Sequence, residues 1–168
     1  MFTSKYERVK YLLLLTPTVA LILVLAGCQQ APPPQAPAKG WHLNLLLLKD
    51  KLAVCRLAPG EKVPTWAMSG GEFTSVTRTA DELSVVCPEG AAPKGTKCES
   101  GWRIFKIEGP LDFALTGVLV AIGKPLADAG VSIFAVSTYD TDYVMIKEQN
   151  VEKAVCALTA AGHNVKRQ

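Results

Sequence analysis

The chain has 168 residues, of which 49% are hydrophobic and 20% charged, with a formal net charge of +3 at pH 7. These fractions are those of a globular protein rather than a disordered or fibrous one. Most of the net charge comes from four residues near the start, Lys5, Glu7, Arg8 and Lys10. Because no basic stripe with interleaved aromatic residues follows, nucleic acid is not an expected partner.

Residues 1–27 have the pattern of a secretory signal peptide. Phe2–Lys10 is polar and basic, Tyr11–Ala26 is mainly apolar, and small residues stand before Cys28. This order is typical of a signal peptide. The apolar run is also short for a membrane span, which needs about 20 residues. An uncleaved membrane helix with a chance cysteine is the alternative interpretation.

The sequence LAGC, ending at Cys28, resembles a bacterial lipoprotein lipobox. The resemblance implies cleavage before Cys28, lipid attachment to its thiol and anchoring in the bacterial cell envelope, where each buried CH₂ contributes about 0.8 kcal/mol. Gln29 in place of Asp implies the outer membrane, on its periplasmic face. Residues 28–41 are rich in proline, which favours an extended tether. A ligand for a proline-recognition domain is the alternative.

Residues 42–101 are predicted to form a first small unit. The leucine-rich Leu43–Leu48 and the segment Leu52–Leu57 flank the turn signal Lys49–Lys51, which predicts a hairpin. Val63–Met68 carries a proline at a plausible first helical position and predicts a short helix.

The rest of this unit predicts a second hairpin and a loop. Phe73–Arg78 and Leu83–Val86 alternate apolar and polar residues, as half-buried strands do. Pro88–Ser100 is rich in Gly, Pro and Lys and is predicted to be a loop. Residues 42–101 therefore resemble a degenerate copy of the unit that follows, with shortened helices.

Residues 102–168 predict a complete second unit, which begins with a strand and a helix. Trp102–Glu108 alternates as a strand, and Gly109-Pro110 ends it. The sequence leaves open whether this strand closes the first unit or begins the second. A helix is predicted over 112–129, with Asp112 as its N-terminal cap and Gly130 after its end. Its apolar stripe consists of Leu115, Val118, Leu119, Ile122 and Leu126.

Two strands, a helix and a short strand complete the second unit. Val131–Val136 and Tyr143–Ile146 predict strands joined by a polar connection. Val151–Ala161 predicts a helix that Gly162 ends, and His163–Val165 predicts a last strand. The order βαββαβ is that of a ferredoxin-like unit.

Five segments, within roughly Leu43–Gly162, carry a family resemblance: AVCRL (53–57), SVTRTADELSVVCPE (75–89), GWRIFKIEGP (101–110), EGPLDFALTGVL (108–119) and PLADAGVSIFAVSTYDTDYVMIKE (125–148). They resemble the ACT-domain family, and more narrowly the small tandem-ACT proteins related to the cytosolic arginine sensors of animals. The resemblance implies an α+β fold of tandem ferredoxin-like units, packed side by side, with an antiparallel sheet and helices on one face.

The resemblance also implies a ligand site. ACT domains bind small molecules, typically amino acids, between the strand-to-helix loop of one copy and the facing strand of its partner. The positions that match are Asp112, Phe113, Leu115, Thr116, Gly117, Ile133, Phe134, Ser137, Thr138, Tyr139, Thr141 and Asp142. The helix start would suit a carboxylate, and Asp142 would suit a cationic amine or guanidinium. The alternative is that these residues only cap helices and turns.

The cysteines and histidines do not predict a catalytic or metal site. Their spacing matches no zinc signature, so no metal or other cofactor is expected. Cys87 and Cys98 flank the Gly/Pro loop and are left as either bridged or free, while Cys55 and Cys156 are expected to be buried thiols. His163 is expected at a helix end or on the surface.

An enzyme is the least supported class. The carboxylates of Glu108 and Asp112 could serve acid/base chemistry, but a solvated loop with a helix cap is favoured over that interpretation. The leading hypothesis is a non-enzymatic module that binds an amino acid or similar small molecule and is tethered to a membrane by lipid. The alternative is a structural or protein-interaction lipoprotein without a small ligand. A homodimer or another protein partner is compatible with either.

Overall fold

A computed structural model describes residues 40–168; the signal-peptide prediction and most of the tether prediction lie outside the described residues. The eight strands are β1 (Asn44–Leu47), β2 (Leu52–Leu57), β3 (Ser75–Arg78), β4 (Leu83–Pro88), β5 (Lys97–Ile107), β6 (Phe134–Ser137), β7 (Asp142–Lys147) and β8 (Asn164–Arg167). The helices are α1 (Val118–Asp128) and α2 (Val151–Ala160), with short 3₁₀ turns at Thr65–Met68 and Glu148–Asn150. Among these residues, no helix has the length and apolar character needed to cross a membrane.

The long strand β5 is the centre of the single eight-stranded sheet. Its first half pairs with β2, and its second half pairs with β1 on one side and β7 on the other. Six strands follow the order β3-β4-β2-β5-β1-β8. The other two lie outside this order: β7 pairs with β5, and β6 pairs with β7. All neighbours are antiparallel except β1 and β8. The α+β class, with a mainly antiparallel sheet, is therefore confirmed.

The predicted hairpin between Leu43–Leu48 and Leu52–Leu57 is wrong. β1 and β2 lie end to end along the same side of β5, with Leu47 opposite Phe105 and Leu52 opposite Trp102. The Leu48 amide also donates to the Ile104 carbonyl, at 3.0 Å, between the two strands. The chain does not reverse at the turn signal because β5, with 11 residues, is long enough to pair with both segments in succession.

The boundary predicted between residues 101 and 102 falls inside β5. The Pro88–Ser100 loop is consequently shorter than predicted, since the strand already begins at Lys97. Residues on the two sides of the boundary share one continuous strand. The division into two related units remains a prediction.

Both helices pack on one face of the sheet, as predicted. Every third or fourth residue of each helix is buried there against alternate residues of the central strands. The cluster includes Leu45, Leu47, Phe105, Ile107, Val118, Ile122, Leu126, Val144, Ile146, Val151, Ala154 and Leu158. Burial of one such aliphatic side chain contributes about 1.5–3 kcal/mol. This packing fixes the position of α1 relative to β6 and β7.

The predicted start of the first helix is wrong. The helix α1 begins at Val118 rather than Asp112, after Gly117 in a left-handed conformation with φ of 85°. Asp112 instead closes a separate turn, in which its Oδ1 accepts from the Ala114 amide at 2.8 Å. Leu115 and Leu119 are 42% and 38% exposed, so they do not belong to the buried stripe.

His163 is buried, contrary to its predicted surface position. Its Nδ1 accepts from the Leu43 amide at 3.3 Å, and its Nε2 is 3.1 Å from the Ala121 carbonyl oxygen, to which it donates. The imidazole ring is buried because β8, which follows His163, pairs with β1. This pairing places the residues before β1 next to the end of α2.

The disulfide joins Cys55 to Cys98, so the expectation that Cys55 is a free thiol is wrong, and of the two alternatives left for Cys87 and Cys98 the bridge between them does not form. Cys55 and Cys98 lie opposite each other on β2 and β5, whereas β2 separates Cys87 on β4 from β5. Cys87 is a buried free thiol whose pKa is raised by burial. Cys156 is free and exposed rather than buried, since it lies on the outer side of α2.

Candidate ligand-binding cavity

A cavity of about 300 Å³ lies between the loop that precedes α1 and the turn that joins β6 to β7. Two chain segments far apart in sequence meet here because α1 packs on the sheet beside these strands. The lining residues are Leu111, Asp112, Phe113, Leu115, Gly117, Val118, Leu119, Ser137, Thr138, Tyr139, Thr141 and Asp142.

One wall is the N-terminal end of α1. Gly117 precedes the first turn, and no side chain makes a capping hydrogen bond to the amides of this turn. The first amides of a helix have no partner within the helix and carry a partial positive charge. Since Gly117, Val118 and Leu119 line the cavity, this wall suits a carboxylate or another anionic group.

The opposite wall is a rigid polar turn. The Thr138 hydroxyl donates to the Thr141 carbonyl at 2.7 Å, and the Thr138 amide donates to the same oxygen at 2.8 Å. The buried Thr141 hydroxyl donates to the Ile107 carbonyl at 2.6 Å. Because both hydroxyl protons are committed to the backbone, these threonines offer a ligand only acceptor oxygens.

The turn is also held to the loop before α1. The Leu111 amide donates to the Asp140 carbonyl at 2.8 Å. The loop and the turn that border the cavity are thus joined by a backbone hydrogen bond, which restricts their separation.

The charged side chains of the cavity are acidic. Asp112 and Asp142 line it, and no Lys or Arg is among its described lining residues. Asp112 is partly satisfied by the Ala114 amide, while Asp142 makes no ion pair within residues 40–168. The cavity therefore combines a partially positive helix end with carboxylates that could accept from a cation.

Two aromatic rings form the rim. Phe113, from the loop, and Tyr139, from the turn, meet edge to face with ring centroids 5.1 Å apart. Their side chains are among the most exposed apolar groups of the described chain, at 75% and 81%. They narrow the mouth of the cavity but do not fill it.

The structure brings together nine of the residues predicted from sequence: Asp112, Phe113, Leu115, Gly117, Ser137, Thr138, Tyr139, Thr141 and Asp142. Thr116, Ile133 and Phe134 do not line the cavity. Phe134 lies on the sheet face away from α1, with its ring 6.1 Å from that of Trp102. Leu111, Val118 and Leu119 were missed as site residues, although Val118 and Leu119 belong to the predicted apolar stripe of the helix.

The other candidate groups are engaged elsewhere. Glu108 pairs with Lys166 at 3.4 Å and so does not form a carboxylate dyad with Asp112. The His42 Nδ1 lies 2.8 Å from the Gly162 carbonyl oxygen, to which it donates. Within residues 40–168, no group of three or more His, Cys, Asp or Glu side chains is arranged to hold a metal ion.

Comparison with protein families gives two adjoining matches. Residues 97–160, from the start of β5 to the end of α2, match a model described as an ACT domain. Residues 50–95 match a separate model described as an N-terminal domain. The candidate cavity lies entirely within the first match.

Comparison with solved structures gives matches that cover most of this chain. Protein Atu0741 from Agrobacterium tumefaciens is 37% identical, with a TM-score of 0.72, and the match covers 76% of this chain and 95% of that one. VC0802 from Vibrio cholerae, titled a protein of unknown function and possible transport protein, is 16% identical with a TM-score of 0.59 over 71% of this chain and 90% of that one. Aspartate kinase from Synechocystis is 17% identical with a TM-score of 0.53, over 81% of this chain and 30% of that one.

Proposed function

We propose that this chain, whose residues 97–160 match an ACT-domain model, is a non-enzymatic regulatory module that binds an amino acid or a similar small molecule in the cavity beside α1. The observation that carries the proposal is the meeting of an uncapped helix start with the carboxylate of Asp142 across one cavity. An amino acid presents a carboxylate and an ammonium group, which are the charges that these two walls would take.

The size and lining of the cavity support a ligand of this class. About 300 Å³ is at the lower end of the range for small-molecule sites and suits an amino acid rather than a nucleotide. Leu115, Val118 and Leu119 supply apolar surface between the polar walls.

We further propose that lipid on Cys28 tethers the module to the bacterial cell envelope, at the periplasmic face of the outer membrane. The support is the sequence LAGC after a basic and apolar start. The proline-rich residues between Cys28 and the first described strand would then act as a spacer.

Ligand binding is tested by titration calorimetry of residues 40–168 against the common amino acids. This part of the chain is suitable because a relative that is matched over 95% of its length contains little else. We expect one class of amino acid to bind. Asp142→Asn should weaken it at least tenfold, about 1.4 kcal/mol, because the ligand cation loses its charge partner.

Asp81→Asn is the matched control. Asp81 is an exposed aspartate in the turn between β3 and β4, and only its carbonyl accepts a hydrogen bond from a side chain. Its substitution should leave the affinity unchanged. An absence of heat with every amino acid, or an equal effect of both substitutions, would rule out the proposed site.

A further inference from the structure

The disulfide and the free thiol of Cys87 belong to one small hydrophobic cluster, which we call the cysteine cluster. Its six buried members are Ala53, Cys55, Ala67, Leu83, Val85 and Cys87. Cys87 lies opposite Ala53 in the pairing of β4 with β2, and Ala53 is two residues from Cys55 on the same face of β2. Because four of the six side chains are Ala or Cys, this cluster buries less apolar surface than the cluster beneath the helices.

The loop between β4 and β5, residues 89–96, covers the cysteine cluster. Most of its residues are exposed, but its Ala91 and Ala92 pack against the cluster. The Ala91 amide makes only a local turn, in which it donates to the Pro88 carbonyl at 3.1 Å. Since two alanine side chains bury little apolar surface, hydrophobic packing alone holds this loop weakly.

The disulfide holds the far end of this loop. β5 begins at Lys97, directly after the loop, and Cys98 is joined there to Cys55 of β2. β2 pairs with the start of β5 over only three residues, Val54 to Arg56, before the register shifts. A pairing this short, at the partly exposed end of a strand, opens locally at low cost once the covalent link is gone.

We propose that the Cys55–Cys98 bridge is a redox switch that controls access to the Cys87 thiol: when a dithiol reduces the bridge, the loop moves away from the cysteine cluster and Cys87 becomes open to disulfide exchange or alkylation. The switch lies outside the ligand cavity and does not depend on the proposed function.

The reduction begins at Cys98. Cys98 is partly exposed, whereas Cys55 is 1% exposed, so the thiolate of the dithiol attacks the Cys98 sulfur and Cys55 leaves as a thiolate. The second thiolate of the dithiol then displaces Cys98. The reductant ends as a disulfide, and its two protons pass to the Cys55 and Cys98 sulfurs.

Cys87 is unreactive while the bridge is intact. Its side chain is fully buried, and burial raises the pKa of its thiol. The sulfur therefore stays protonated at neutral pH, and the thiolate is the nucleophile in exchange and alkylation. When the loop moves away, water reaches Cys87, its pKa returns towards the ordinary value of a thiol, and the thiolate fraction rises.

The test is the rate at which N-ethylmaleimide labels each cysteine of residues 40–168 at neutral pH, with the sites assigned by mass spectrometry. In the unchanged protein we expect the exposed Cys156 to be labelled and Cys87 to be protected. Reduction with dithiothreitol before labelling, or the double substitution Cys55→Ala and Cys98→Ala, should raise the rate at Cys87 at least about a hundredfold.

Glu99→Ala is the matched control. It removes an exposed contact with Lys147 beside Cys98 but keeps the bridge, so Cys87 should stay protected. Hydrogen exchange shows whether the opening is local. The helices pack on a cluster that shares no described member with the cysteine cluster, so amides of α1 and β7 should exchange less than about threefold faster after reduction.

The proposal is overturned if Cys87 is labelled at the same rate with and without the bridge. It is equally overturned if the amides of α1 and β7 exchange as fast as those of the loop in the reduced protein, since the whole chain would then unfold. Labelling of Cys87 in Glu99→Ala at the rate of the double variant would also overturn it, because the bridge would not be what protects the thiol.

Discussion

At the level of single residues, His163 shows that buried backbone N–H and C=O groups of this fold need hydrogen-bond partners. The buried imidazole of His163 accepts from the Leu43 amide and donates to the Ala121 carbonyl, so one ring connects the start of β1, the end of α2 and the middle of α1. No sequence pattern marks this role, because both partners are backbone groups of residues distant in sequence. A histidine after a helix-ending glycine is equally compatible with the surface.

His163→Phe is predicted to destabilise the fold. The substitution keeps an aromatic ring but leaves a buried amide and a buried carbonyl without partners, each at a cost of about 1–3 kcal/mol. Urea unfolding followed by circular dichroism should show a loss of about 2–6 kcal/mol in the free energy of unfolding. His42→Phe, at an exposed histidine with one backbone bond, should lose less than about 1.5 kcal/mol. An equal loss in both variants would disprove the role of His163.

At the level of elements, local sequence patterns correctly predicted which segments form strands and helices. The alternation of Trp102–Ile107 and the spacing of Val118, Ile122 and Leu126 identified β5 and α1, since each pattern records which side of an element is buried. The pairing of strands could not be predicted from local sequence patterns. Whether β1 turns back onto β2 or continues along β5 depends on a partner some 50 residues away, and so does the choice of Cys98 as partner of Cys55.

For the cavity, too, some features could be predicted from the sequence and others could not. The loop before α1 and the turn after β6 were identified as site segments by family resemblance, and nine of the predicted positions meet in the cavity. Asp112 was assigned to the helix cap because an aspartate before an apolar stripe is typical of one. The N-terminal cap is instead Gly117, in a left-handed conformation, so the cap lies five residues later than predicted. The loop before Gly117 is therefore not helical, and its residues line the cavity.

The contact between α2 and β8 predicts a dependence of stability on pH. The Arg167 guanidinium makes two hydrogen bonds to Glu152, at 2.9 and 2.7 Å, and it holds the pKa of this carboxyl below its usual range. A pKa that is lower in the folded state stabilises the fold above the unfolded-state pKa. That stabilisation is lost as the pH falls through the folded-state pKa.

Glu152→Gln should therefore lower the free energy of unfolding at neutral pH and have no effect in strong acid. Both side chains of the pair are exposed, so the effect should be small. Urea unfolding across the acidic pH range measures it. Asp128→Asn, which removes an exposed ion pair within α1, is a control that leaves the contact between α2 and β8 intact. A Glu152→Gln effect that grows as the pH falls has the wrong sign for this explanation.

At the scale of the whole molecule, the cavity and the proposed lipid anchor lie on different parts of the chain. The cavity belongs to the part matched by the ACT-domain model, whereas Cys28 precedes the described residues by a proline-rich segment. An anchor on such a spacer places no demand on the orientation of the folded part. Ligand binding is therefore expected to survive removal of the anchor.

The anchor itself is tested with the full chain expressed in a Gram-negative bacterium. We expect it to fractionate with the outer membrane and to partition into detergent, because several buried acyl chains hold a protein far more firmly than a single chain does. Mass spectrometry should find a chain that begins at Cys28 and carries lipid. Cys28→Ser should lack the lipid and keep residues 1–27, since cleavage at a lipobox follows lipid attachment. Cys156→Ser, at an exposed free thiol, should be processed normally. Lipid on the Cys28→Ser chain, or a full chain that keeps its first residues and spans the membrane, would refute the lipobox interpretation.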